Sequence, residues 1–456
     1  MLYRIAKFIA FQAVKLFYRR VIIKNKRYLP KSGPVIFAAN HPNTMMDPLL
    51  IGFACTRNLH FLAKSTLFGR PLVNSFLNRL KIIPVYRRQD NPDDMHKNVE
   101  VFEQCYRILD QGKCILIFPE GISLVDRILS PIKTGAARIG FGAAARAEFQ
   151  NTISIIPVGI NYSDVVRFRS DVYIRFGQPI TLSDYADLYQ SDEVEAIHQV
   201  TNLIETALKK LTTSLKENEL INIVENLESI YKSELIVDQG YEIRDKNDEF
   251  SVTKGLINAV EWFYEHQPER VENFKKLLNG YLENLKRLNL SDEFLSPVAR
   301  DRNLRQRIFA FLYLVFGFPI YIYGLINNYL PYQVPRWYTN KYISAKEWYA
   351  PMKLITGAAV YIIYYGILIT AMALISKNTW LTIGYSLTLI PSGNFVLKYL
   401  KHAGRYRQHW QFLNIFYRKR AIIFKIINQR MKLIQYLDNA KNEYLQWISK
   451  NESQEK

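Results

Sequence analysis

Cysteine is scarce: three residues in a chain of 456. Three thiols cannot build a disulfide framework, which excludes a small stapled secreted fold. Cys55, Cys105 and Cys114 read instead as small apolar fillers. Histidine is scarce too; its seven residues lack the spacing of a metal site, so no metal is expected. There is no GxSxG elbow, Walker loop, CxxC pair, low-complexity tract or internal repeat. Acidic residues are missing from the first 46 positions, which hold nine Lys and Arg. Charge of either sign is missing from two long runs near the C-terminal end.

What is present is an ordinary globular composition, 49% hydrophobic and 22% charged. That excludes a disordered chain, which has too little apolar surface to offset its ordering entropy. It also excludes a wholly membrane-buried channel or transporter. The length allows about three domain-sized units. The net charge of +19 is unevenly placed, because residues 301–456 carry 21 Lys and Arg against 6 Asp and Glu. Two basic ends around a near-neutral middle point to an anionic surface as partner.

The apolar runs decide which surface. Ile308 to Leu330 and Leu354 to Ser376 are uncharged, and Trp380 to Leu397 is apolar but diluted by Ser, Thr, Asn and Pro. About 20 apolar residues span a hydrocarbon core, so lipid is expected and nucleic acid is not. Gly317, Pro319 and Gly324 are expected to break the first run into a re-entrant hairpin. The segments 354–376 and 380–398 are expected to form a helical hairpin with its tip at Lys377. That arrangement keeps every large basic segment, and the catalytic domain, on the cytoplasmic face. The start, MLYRIAKFIAFQAVKLFY, places Leu2, Ile5, Phe8, Ile9, Ala13 and Leu16 at helical spacing among Arg4, Lys7, Lys15 and Arg19. It is too interrupted to span and reads as an amphipathic helix lying at an anionic membrane interface.

The domain plan expected from these patterns is an interface helix in 1–30, a catalytic domain in 31–182, and a helical insert in 183–305. Membrane segments follow in 306–400, and a basic helical tail in 401–456. Within 33–180, short Val/Ile/Phe-rich runs at 35–40, 59–64, 81–87, 114–120, 153–162 and 172–177 read as strands, with helices at 92–111 and 133–147. The alternation implies an α/β fold, a mixed and largely parallel sheet flanked by helices. Ligands of such sheets gather at the C-terminal ends of the strands.

The end of the first expected strand reads AANHPNTMMDPLL. A His at a strand end with a nearby carboxylate is a general-base arrangement. Asp47 would accept from one ring nitrogen of His41, and the other nitrogen would take a proton from a substrate hydroxyl. A His/Asp pair in a turn is also a common helix-start feature. With no activated Ser or Cys beside it, the nucleophile would have to belong to the substrate.

Four further segments sharpen this reading. NH-x₅-D, FLAK (61–64), IPVYR (83–87), FPEG-x-S (118–123) and IIPVG (155–159), in this order, resemble the blocks of the glycerolipid acyltransferase family. That family includes lysophosphatidic acid and glycerol-3-phosphate acyltransferases, and the resemblance covers roughly 35–180. It implies that His41 deprotonates the acceptor hydroxyl while Asp47 orients it. The hydroxyl then attacks the thioester of acyl-CoA or acyl-carrier protein directly, with no cofactor. The resemblance also implies that Glu120 and Gly121 shape the acceptor site and that Arg87 contacts the acceptor phosphate, with Lys64 as a second candidate. Arg presents a planar fork to phosphate oxygens. The alternatives are an ion pair for Arg87 or Lys64 and a helix cap for Glu120. Lys133 and Arg138, in SPIKTGAARIG, either hold phosphate or lie on a solvated helix face.

One feature departs from the family pattern: five residues, not the commoner four, separate His41 from Asp47. On a regular helix the extra residue would rotate Asp47 by about 100°; an irregular turn can absorb it. The longer spacing resembles a larger branch whose members carry C-terminal membrane segments. The expected activity is acyl transfer to glycerol 3-phosphate or its 1-acyl form, with another lysolipid or an aminolipid as alternative acceptor. A non-catalytic membrane lipid-binding scaffold is expected to lose His41, Asp47 or Glu120, and all three are present.

Overall fold

The computed structural model describes residues 2–125, 127–238, 246–295, 304–418 and 420–454. They fall into two compact units: one runs up to Ser214 and takes in Pro335–Ala359, and the other comprises Leu215–Val334 and the chain from Val360 onward.

The first unit is an eight-stranded sheet between helices. Its strands are β1 (Arg20–Lys24), β2 (Val35–Ala39), β3 (Leu59–Lys64), β4 (Ile82–Val85), β5 (Cys114–Ile117), β6 (Ser154–Tyr162), β7 (Asp171–Phe176) and β8 (Ile180–Thr181). The order is β1-β7-β6-β2-β5-β3-β4, with β8 on β6. Pairings are parallel except those of β6 with β7 and β8. Period-two alternation sorts the central strands into two cores. Ile36, Ala38, Ile115 and Ile155 face one side, and Val35, Phe37, Ala39, Leu116 and Ile156 face the other. Burial on both faces explains why these strands read as unbroken apolar runs.

On the second of these faces lie α1 (Leu2–Phe17) and α2 (Met46–Ala54); α3 (Pro71–Arg79) stands beside the edge strand β4. The opposite face is covered by α4 (Asn98–Asp110), α5 (Gly135–Arg146) and, after the short α6 (Ala186–Ser191), α7 (Glu193–Leu211). Two boundaries differ from the sequence reading. Arg20–Lys24 is an edge strand of the sheet rather than part of an interface segment ending at 30. The unit runs on to Ser214 instead of ending at 182, because Ala196, Val200, Ile204 and Leu208 of α7 complete the core over α5. A polar helix with a buried stripe looks from its sequence like an insert; only the sheet it covers makes it integral.

The second unit begins with α8 (Ile221–Ile230), α9 (Lys232–Asp238), α10 (Lys246–His266) and α11 (Pro268–Arg287). Four long helices follow: α12 (Leu304–Tyr342), α13 (Tyr349–Ser376), α14 (Thr379–Arg418) and α15 (Arg420–Gln454), of which α12 and α13 begin in or reach into the first unit. The expected insert and the expected basic tail are not separate bodies. Val224, Leu227, Ile257 and Leu278 share one core with Ile423, Ile426 and Leu433. Buried Arg430 of α15 donates to Asp292 Oδ1 (2.8 Å) and Glu234 Oε1 (2.7 Å).

Two helices are long and apolar enough to cross a membrane, Phe311–Tyr342 and Lys346–Ser376. The expected re-entrant break in 308–330 is absent: α12 is continuous through Gly317, Pro319 and Gly324. Gly324 instead lets helices meet. A Cβ there would stand 2.7 Å from Ser392 O and from Val396 Cγ2, a close approach between helices that only a residue without a Cβ allows. Asn328 fastens the same contact, donating to Ser392 Oγ (3.2 Å) and accepting from Tyr365 OH (2.6 Å). The third expected segment, 380–398, lies inside the 40-residue α14 and is not among the two helices that qualify.

Candidate active site

β2 ends at Ala39, and the next residue ties the strand off. Asn40 donates to Ile160 O (3.0 Å) and accepts from Ile160 N (2.7 Å). Its amide thus continues the β2–β6 ladder by one rung while the backbone leaves the sheet. His41 follows, at the C-terminal rim of the strands. The turn from Pro42 to Met45 is irregular, with Thr44 at φ 32° and Met46 N donating to Asn43 O at 2.8 Å. Asp47 is the second residue of α2. This turn absorbs the fifth spacer residue, and His41 Nδ1 meets Asp47 Oδ2 at 2.8 Å.

Asp47 is fully buried and held from three directions. Besides the imidazole, Asn43 N donates to Oδ2 (2.7 Å) and Tyr162 OH donates to Oδ1 (2.5 Å). Burial, reinforced by the Asp47 charge, holds the Tyr162 phenol well above its ordinary pKa, so it remains a donor. The His41 ring stacks on Phe118, 3.9 Å between centroids, and its side chain keeps 19% of its surface exposed. With Nδ1 engaged by a carboxylate, Nε2 is the nitrogen left for a substrate.

Glu120 is buried one strand away, past the end of β5. It accepts from His41 N (2.7 Å) and from Ser130 N (2.9 Å), so it joins two loops and does not cap a helix. Burial raises its pKa, and the two N–H donors oppose that shift. Gly121 adopts φ +70°, where a Cβ would stand 2.5 Å from Lys133 Nζ; glycine alone takes this conformation without strain. Ser123, the last residue of the same motif, accepts from Thr44 N (2.9 Å) and ties this loop to the His41 turn.

The cations gather on the β3–β4 side. Arg87 Nη1 donates to Gly121 O (2.7 Å), while Nε and Nη2 grip Asp90 at 2.6 and 2.8 Å. Arg87 thus makes an ion pair with Asp90 while also reaching the Gly121 carbonyl. Arg87 holds Asp90 below the usual carboxylate range, and the charges of Lys64 and Lys133 add to the effect. Lys64, Arg87 and Lys133 thus surround Gly121 and Asp90. Arg138 lies farther along α5 with its guanidinium over the Phe102 ring, at 5.7 Å. On the β6 side of the site a cavity opens, lined by Asn40, Glu120, Leu124, Tyr162, Val165 and Thr213 among others.

Of the seven residues singled out from the sequence, His41, Lys64, Arg87, Glu120, Gly121 and Lys133 lie at the C-terminal ends of β2, β3, β4 and β5 or in the loops that follow, and Asp47 lies in the first turn of α2. Sequence reasoning missed Asn40, Asn43, Phe118 and Tyr162. Tyr162 carried the only usable signal, as the polar end of an apolar strand. The partnership of Asn40 with β6 has no sequence signature. Among the described residues no group of three or more His, Cys, Asp or Glu could hold a metal ion.

One rim of the sheet thus offers a His–Asp pair and a cluster of cations. Residues 20–161 match the Acyltransferase family model, so this stretch of the chain is an acyltransferase domain. Among curated proteins, the chain is 21% identical to glycerol-3-phosphate O-acyltransferase 1 of Saccharomyces cerevisiae, over 71% of this chain and 54% of that one. It is 23% identical to the 1-acyl-sn-glycerol-3-phosphate acyltransferase of Bacillus subtilis, over 40% of this chain and 84% of that one. The chain therefore spans about half the length of the yeast relative, and less of the next two, 29% and 18%. The crystal structure of the 1-acyl-sn-glycerophosphate acyltransferase of Thermotoga maritima is similar over 45% of this chain and 80% of that one, at 20% identity and a TM-score of 0.32.

Proposed function

We propose that this protein is a membrane-bound O-acyltransferase of phospholipid synthesis. It moves a fatty acyl group from acyl-CoA or acyl-carrier protein to glycerol 3-phosphate or 1-acyl-glycerol 3-phosphate. The observation that carries the reading is the 2.8 Å contact of His41 Nδ1 with the buried, triply held Asp47.

In this reading His41 Nε2 takes the proton of the acceptor hydroxyl as its oxygen attacks the thioester carbonyl. Asp47 keeps Nδ1 protonated and stabilises the imidazolium. Collapse of the tetrahedral adduct expels the thiolate, which takes the proton back from His41. The ester and the free thiol leave, and the imidazole is neutral again. Lys64, Arg87 and Lys133 supply the positive charge for the acceptor phosphate, and Gly121 lets the chain pass close beneath them. Glu120 fixes the loop that places His41 against this cluster.

Membrane attachment is supported by the two long apolar helices. The connection between them belongs to the catalytic unit: Thr44 Oγ1 donates to Glu347 O (2.9 Å) and Lys353 Nζ to Val166 O (2.9 Å). Arg336, Lys341, Lys346 and Lys353 are therefore on the side of the catalytic sheet, which favours the cytoplasmic face. Anionic lipids are the proposed partners of these cations and of α1.

The Arg87–Asp90 pair favours one second reading. A site that holds both charges also suits a zwitterionic lyso-aminolipid, whose phosphate and amine would each find a partner. The test is acyl transfer by detergent-solubilised protein and its His41→Ala variant, with both phosphate acceptors, a lyso-aminolipid, and both donors. Turnover of a phosphate acceptor that falls at least ~10²-fold in the variant supports the first reading. Turnover of the aminolipid alone supports the second. No turnover by the wild type on any combination would leave a lipid-binding scaffold.

A further inference from the structure

Helix α3 carries an apolar ridge that stays exposed among the described residues. None of its nine residues is buried; Leu72 is 86% exposed and Phe76 51%. Leu72, Val73 and Phe76 lie within one turn of each other on the helix, and Leu67, just before it, extends the exposed patch. A contiguous apolar ridge of this kind marks a contact surface rather than a solvated one.

Charge identifies the occupant. Between positions 64 and 88 there are six cations, Lys64, Arg70, Arg79, Lys81, Arg87 and Arg88, and no Asp or Glu. Lys81 Nζ lies 4.8 Å from the centre of the Tyr3 ring, which brings the end of α3 beside the start of α1. Ile5, Phe8, Ile9 and Leu16 of α1 are themselves 46–63% exposed, among Arg4, Lys7 and Lys15. Two neighbouring helices that expose apolar side chains, carry only positive charge and lack any acidic residue match the headgroup and acyl boundary of an anionic bilayer.

We propose that α3 is a second interfacial helix, which docks with α1 on an anionic lipid surface. The inference rests on the membrane attachment proposed above and adds a residue-level footprint to it. α3 lies between Lys64 at the end of β3 and Arg87 after β4. Its insertion therefore sets the cationic rim of the site at the depth of lipid headgroups, where a lipid acceptor presents its phosphate.

The test uses the full chain in nanodiscs of phosphatidylcholine with phosphatidylglycerol, and of phosphatidylcholine alone. A spin label is placed by Leu72→Cys, by Gln199→Cys on α7 as an aqueous reference, and by Ile363→Cys on α13 as a bilayer reference. Cys55, Cys105 and Cys114 are buried and give little background. Power saturation then compares access of oxygen with access of a water-soluble nickel chelate. In anionic nanodiscs, nickel access at position 72 is expected to be at least about threefold lower than at 199, with oxygen access kept; Arg70→Glu with Arg79→Glu is expected to restore it. Nickel access at 72 equal to that at 199, with 363 in lipid, overturns the proposal and leaves membrane attachment standing. Exposure of 363 to nickel overturns both. A label at 72 shielded from nickel and oxygen alike means that protein, a second copy or another partner, covers the ridge, and the proposal fails. None of these readings depends on turnover.

Discussion

Replacing Asp47 by Asn removes one charge and keeps the shape of the side chain. The amide oxygen can still accept from His41 Nδ1 and Asn43 N, and the Tyr162 hydroxyl can rotate to accept from the new amine. The ring orientation therefore survives, and what is lost is the attraction between carboxylate and imidazolium. Across the 2.8 Å contact, a full pair of charges is worth about 6 kcal/mol at an effective dielectric constant of ~20. A half-developed imidazolium in the transition state would feel about 3 kcal/mol of this. At 1.36 kcal/mol per decade, the expected fall in kcat is roughly 10²-fold. KM should hardly move, because Asp47 is fully buried and meets no substrate. The assay is release of free thiol from acyl-CoA at saturating acceptor, with thermal unfolding to confirm that the variant is folded. The double variant with His41→Ala should be no worse than His41→Ala alone, since the two residues act as one unit. Asp47→Asn within about fivefold of wild type, beside an inactive His41→Ala, would refute the reasoning: the imidazole would then work without a charged partner.

Other expectations follow from the same geometry. Tyr162→Phe deletes one hydrogen bond to a buried carboxylate and should cost about 1.5–3 kcal/mol in denaturant or thermal unfolding, with a smaller loss of kcat than Asp47→Asn. Gly121→Ala forces an L-residue to φ +70° against Lys133; a strain of about 1–2 kcal/mol should appear as a higher KM for the phosphate acceptor in initial-rate assays. Arg87→Ala should likewise raise that KM, and an unchanged KM would confine Arg87 to its ion pair with Asp90. His60 is buried and its pKa is pushed down to about 4. The unfolded chain then binds a proton that the folded chain refuses between the ordinary His value of about 6.5 and 4. Stability should be full at neutral pH and fall on acidification through this window, by at most about 3 kcal/mol. His60→Gln should flatten that part of the unfolding profile.

Residues whose meaning is local could be read before any fold was known. His41, Glu120 and Gly121 stand at strand ends because short apolar runs stop there, and a parallel sheet presents such ends along one rim. The strands at 35–40, 59–64, 81–87, 114–120, 153–162 and 172–177 were legible because burial on both faces demands continuous Val, Ile and Phe. The two long uncharged runs were legible as helices because helical backbone satisfies its own hydrogen bonds in an apolar medium.

Glycine and proline misled where their effect depends on a neighbour. Gly324 reads as a helix breaker in isolation, yet it is the point where Ser392 and Val396 of α14 press against α12. β1 and α7 were assigned to the wrong segments, since an edge strand pairing with β7 and a polar helix covering β6 are defined by partners about 150 and 40 residues away in sequence. The sequence by itself determined the composition of the strands, the apolar runs and which side chains have the chemistry for acyl transfer. Only the tertiary structure decided that a five-residue spacer still closes the His41–Asp47 contact, because Thr44 bends the turn. It also decided that Asn40 and Tyr162 hold that pair, that Asp90 pairs with Arg87, and that α3 leaves Leu72, Val73 and Phe76 exposed. Each of these is a property of atoms brought together across the fold, and no single segment carries it.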